Sequence, residues 1–168
     1  MLSEYMHNLY AYNTWANDRI FMTAALVGGE QLRDETAMSF GSIRNVLVHI
    51  VSFQEYWLAR AQWRPPAPEL IAQSFHEVQP IYLRWNEIDT ETHTFVDNLS
   101  DTALEEVIRY TNPQGEPNVY HLWQILFHQA NHAMQHRSEI ALRLTEFGHS
   151  PGWLDYLLYL DIVATGAA

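Results

Sequence analysis

Residues 120–148, YHLWQILFHQANHAMQHRSEIALRLTEFG, read as one long helix that closes at Gly148. Ile125, His128, His132, His136, Ile140 and Leu144 share one stripe of that helix. Residues four apart are offset by about 40° and rise about 6 Å per step, so the histidines point with the apolar residues at a core or a groove. The segment that carries them, HQANHAMQH at 128–136, holds no Asp, Glu, Lys or Arg. Imidazoles where Leu or Ile would pack more easily are either core histidines satisfied by carbonyls and carboxylates, or they hold a ligand.

Outward from this helix the chain has four further apolar-periodic segments. Residues 2–26 place Tyr5, Leu9, Tyr12, Ala16 and Ile20 at helical spacing and end before Gly28-Gly29. Residues 43–63 follow Ser42 as an N-cap, carry Ile43, Val46, Ile50, Phe53 and Trp57 on one face, and stop at Pro65-Pro66. Residues 75–99 open with Ser74 and Glu77 at capping-box spacing, with Pro80 as an alternative start or a kink. Between 104 and 120, β-prone stretches around Asn-Pro-Gln-Gly predict a long connection with a small hairpin. WLDYLLYL, after Pro151, predicts a short last helix. The pattern implies an all-α fold: a four-helix bundle with a long crossover before the fourth helix and a short C-terminal helix, in a single domain over 1–168.

Composition removes several kinds of chemistry. A formal charge of −11 argues against binding nucleic acid or an acidic membrane surface, both of which need a basic face. The chain has no cysteine, and all nine basic residues are arginines. Thiolate ligands, Cys nucleophiles, Schiff-base lysines and the phosphate-loop lysine are thereby excluded. No basic, apolar leader opens the sequence and no run reaches the ~18 apolar residues of a membrane span, so a cytoplasmic location is expected. The count of nine histidines leaves imidazole, carboxylate, Arg, hydroxyl or a bound ion as the means of chemistry.

Two histidines at i, i+4 can hold one divalent cation from a single turn of helix, but three in line cannot. His128 and His136 are about 12 Å apart along the axis, against a metal–nitrogen distance of roughly 2.1 Å. Two adjacent members would bind, leaving the third as a neighbour, and spacing alone does not choose the pair. His49, beside the apolar face of residues 43–63, is the best further ligand. His7, His76, His93, His121 and His149 lie near helix ends, on polar segments or in loops. The metalloprotease H-E-x-x-H spacing is absent, and Glu4-Tyr-Met-His7, which has the E-x-x-H spacing that a di-iron bundle uses twice, lies at the chain's start.

Four stretches resemble the DinB/YfiT-like family in order: YNTWANDRIF at 12–21, GSIRNVLVHIVSFQEYWLAR at 41–60, LFHQANHAMQHRSEIALRL at 126–144 and EFGHSPGWLDYLLYL at 146–160. The third resembles that family's N-H-x-x-x-H-R-G-Q signature. The resemblance implies a bundle whose divalent metal is held by His49, His132 and His136, with His128 adjacent or outside the ligand shell. Ser138 and Glu139 stand where Gly and Gln are usual, and Gln54 stands where an acid is frequent.

The same resemblance implies metal-dependent transfer of a low-molecular-weight thiol to an electrophile, or thiol-dependent isomerisation, and a homodimer. Imidazole-only ligation suits zinc or nickel better than the oxygen-seeking Mg²⁺ or Ca²⁺. Arg137 or Arg44 near the site could pair a cosubstrate carboxylate. The competing expectation is a non-catalytic bundle whose metal supports folding or a protein contact.

Overall fold

The computed structural model describes residues 1–35, 38–112 and 114–166. Helical apolar spacing builds α1 (Leu2–Ala24), which buries Met6, Tyr10, Ala16, Ile20 and Ala24. After a short α2 (Gly29–Arg33), α3 (Ile43–Ala61) starts where Ser42 Oγ accepts a hydrogen bond from the Asn45 amide at 3.3 Å. α4 covers Val78–Asp97, and its N-cap is Glu77 without a side-chain cap. The expected capping box does not form, because Ser74 ends a one-turn 3-10 helix, Ala72–Ser74. Pro80 is the third residue of α4, where a missing amide proton removes no intrahelical bond.

The crossover contains a short α5 (Asp101–Leu104) and an antiparallel hairpin, β1 (Val107–Thr111) with β2 (Pro117–His121). At its tip Asn112 Oδ1 accepts from the Gln114 and Glu116 amides at 3.0 and 2.8 Å. Pro113 of that turn lies outside the described residues. β2 runs directly into α6 (Leu122–Glu146), and Gly148 follows with φ +86°. The last helix, α7 (Tyr156–Thr165), starts later than the WLDYLLYL segment, behind Asp155 as N-cap.

α6 packs between α1 and α3, and α4 packs between the same two helices from the other side. The four long helices therefore close into the bundle that the apolar pattern predicts, and their cyclic order is α1, α6, α3, α4. No helix among the described residues is long and apolar enough to cross a membrane.

Trp85 on α4 anchors the bundle core. It is 1% exposed, stacks on Phe21 with ring centroids 5.2 Å apart, and donates from Nε1 to Gln54 Oε1 at 3.2 Å. Gln54 in turn donates to Asp89 Oδ1 and Thr92 Oγ1. Gln54 is thus a link between α3 and α4 inside the core. A second apolar cluster joins Met6, Tyr10, Leu104, Ile108, Leu122 and Ile125 where the hairpin meets the bundle. Trp85→Ala removes both the ring and the donor to Gln54, and should lower unfolding free energy by about 3–5 kcal/mol. Urea denaturation measures this as a lower midpoint at unchanged slope; an unchanged midpoint would show that Trp85 does not anchor the core.

Candidate metal centre

His49 comes from the middle of α3, and His132 and His136 come from successive turns of α6. Because α3 and α6 are packed neighbours, the three rings meet on one seam. His132 Nε2 lies 3.2 Å from His49 Nε2 and 3.2 Å from His136 Nε2. One ligand nitrogen from each of the three lies within 4.8 Å of the other two. Nitrogens at about 2.1 Å from a tetrahedral centre are separated by roughly 3.4 Å, so the observed spacing fits a common ion. Among the described residues no fourth His, Asp or Glu joins the group.

The opposite ring nitrogens are held unequally. His136 Nδ1 is 3.2 Å from Glu139 Oε2 and 3.4 Å from Ser39 Oγ, and Ser39 also donates to that carboxylate at 2.6 Å. A carboxylate accepting the Nδ1 proton leaves Nε2 as the lone-pair nitrogen, the tautomer a metal needs. His49 Nδ1 lies 3.8 Å from Glu69 Oε1, and His132 Nδ1 is buried without a partner. Two phenylalanines flank the rings: Phe40 stacks on His49 at 3.9 Å and Phe53 on His132 at 3.4 Å between centroids.

Burial pushes the His132 pKa down to about 3, assisted by the neighbouring His136, His49 and His128. Burial also lowers the pKa of His49, with His136 adding to the effect and Glu69 opposing it. Both rings are therefore neutral at pH 7, with lone pairs available.

The remaining candidates lie elsewhere. His128 is exposed, not inward, and its ring centroid is 6.2 Å from that of His132. It packs edge-on against Phe53 and Trp57, and this partial desolvation lowers its pKa. Arg44 at the start of α3 donates to Asn45 Oδ1 at 3.1 Å. Arg137 is buried on the α1 side of α6, where it donates to the side chains of Asn13 and Asn17. Neither arginine forms a hydrogen bond to the three histidines.

A model of the DinB family matches residues 1–166. The chain belongs to the DinB family. It is also 26% identical over 177 residues to Protein DinB of Bacillus subtilis (strain 168), an alignment that spans 99% of this chain and all of that protein. Within this family member, Phe53 and Glu139 are the parts of the site that helical spacing could reveal, at i+4 from His49 and i+3 from His136. Ser39, Phe40 and Glu69 arrive from loops and carry no such signal.

Glu139 is the carboxylate on His136. Glu139→Ala is expected to weaken metal affinity by about 10–100-fold, the usual effect of losing such a support. Competition with a chromophoric chelator measures it. Unchanged affinity would show that Glu139 does not orient His136.

Proposed function

We propose that this chain binds one divalent cation through His49, His132 and His136, with zinc or nickel the best-suited ions. We further infer that it acts as an enzyme on a low-molecular-weight thiol and an electrophile, as an S-transferase or a thiol-dependent isomerase. The observation that carries the reading is the convergence of three imidazole nitrogens with no fourth His, Asp or Glu joining them among the described residues. A structural site would be closed by a fourth ligand.

A divalent ion held by three neutral ligands supplies its full charge and an open position, which lowers the pKa of a thiol or water that binds there. The chain's own residues do the rest. His49, His132 and His136 would hold the ion. Glu139 keeps the proton of His136 on Nδ1, and Phe40 and Phe53 restrict water around the rings. A recess of about 230 Å³ lined by His49, Phe53, Tyr56 and Glu69 gives a small molecule a path to His49. The absence of cysteine fits a thiol that arrives as a cosubstrate. A homodimer belongs to the same proposal, supported by the family and by exposed apolar side chains such as Leu157 and Val163 on α7.

The test is elemental analysis of the purified protein followed by a panel of small thiols and soft electrophiles, with and without added ion. One equivalent of zinc or nickel and ion-dependent conjugation are expected. No bound ion after loading would overturn the metal reading.

A further inference from the structure

A larger cavity, about 770 Å³, lies between α1, α6 and the chain leading into α7. That volume is within the roughly 300–1,000 Å³ typical of small-molecule sites. Leu9, Trp123, Phe127 and Met134 supply an apolar wall, and none of the three converging histidines lines it. Its buried polar group is Arg137, only 2% exposed, while the exposed Ser138 and Asp155 also line it.

The guanidinium there is incompletely paired. Nη1 donates to Asn13 and Asn17, while buried Nη2 has no acceptor. The Nδ2 groups of Asn13 and Asn17 are also buried without acceptors. Among the described residues no carboxylate lies within ion-pair distance of Arg137, although Asp155 lines the same cavity. The Tyr12 ring lies 5.6 Å from the guanidinium carbon, and an arginine is a cation at pH 7. A buried cation surrounded by spare donors calls for an anion, and the guanidinium fork matches a carboxylate.

We propose that this cavity binds an amphipathic carboxylate, its acid group on Arg137 and its apolar body along Leu9, Trp123, Phe127 and Met134. The site is separate from the histidine cluster and does not depend on the thiol reading. Arg137 nevertheless adjoins His136 in sequence, so a ligand here would touch the helix that carries two of the three imidazoles.

Decanoate and decanol, which share an apolar body, are suitable probes for calorimetric titration of the full chain, with and without a chelator. Decanoate should bind once per chain and at least about tenfold more tightly than decanol, the effect of one charge-assisted hydrogen bond. Chelation should leave this preference intact. Arg137→Met should abolish it. Because that change also disturbs the asparagines, Met134→Glu is the second variant. Met134 is 47% exposed, lines the cavity and precedes Arg137 by one helical turn, so a carboxylate there supplies the missing partner. Met134→Glu should weaken decanoate at least about tenfold and leave the melting temperature no lower. Equal binding of the two probes would overturn the proposal, as would loss of decanoate binding on chelation, which would place the acid on the metal. A chain that binds neither probe and is a dimer dissociated by Met134→Glu would also overturn it, with a second copy as the true occupant.

Discussion

Alanine at position 132 should strip the chain of its divalent ion, whereas alanine at position 128 should leave the ion bound. His132 is the middle of the three proposed ligands, its Nε2 3.2 Å from both of the others, and among the described residues no other carboxylate or imidazole joins the group. Its loss leaves one nitrogen from each of two helices. The affinity should fall by more than about a hundredfold, beyond the range expected for a supporting residue. His128 contacts Phe53 and Trp57 from the exposed side, and its ring is a full side-chain width from His132. Its removal should change affinity by less than about threefold, within the scatter of a distant neutral substitution. Zinc competition against a chromophoric chelator gives both numbers, and a melting curve shows whether each variant remains folded. Equal loss in the two variants would mean that the pair on α6 is His128 with His132.

The contrast between these two histidines also shows where pattern reading stops. A row of residues four apart drifts about 40° per step, so His128 is turned roughly 80° from His136 around α6. Ile125, eleven residues before His136, is turned only about 20° from it and is buried. The histidine row therefore turns toward the exposed edge of the α3 seam at its N-terminal end, where His128 meets Phe53 and Trp57, while Ile125 stays in the core. Arg137 follows the same geometry: about 100° from His136, it faces α1 and not the imidazoles. The long helices and the meeting of His49 with His132 and His136 were legible because periodicity and family resemblance both report on helix faces. The loop residues Ser39, Phe40 and Glu69 were not, because their positions follow from how the helices pack. Ser74 failed as a cap for a related reason: the chain spends it in a preceding 3-10 turn.

Turnover of a small thiol with a soft electrophile should depend on the bound ion and on His132, and this separates an enzyme from a structural metal site. The structural alternative has a specific basis, since the three ligands tie α3 to α6 and an ion there would cross-link the bundle. It predicts a marked fall in melting temperature on chelation and no turnover with any thiol. The enzyme reading predicts conjugation above the uncatalysed rate with the ion present, and its loss in His132→Ala. Both could stabilise the fold, so melting alone does not decide; turnover in metal-free protein that is still folded does. Acid gives a second check. Protons compete with the ion for imidazole, and an unperturbed histidine titrates at about 6.5. His132 is held down to about 3 and His49 is lowered in the same sense, so proton competition at these ligands is shifted to more acidic pH. Proton competition at His132 and His49 should therefore set in at more acidic pH than at an unperturbed histidine, and the ion-dependent rate should fall with acid accordingly. Conjugation that continues unchanged in folded, metal-free protein would refute the metal-dependent mechanism.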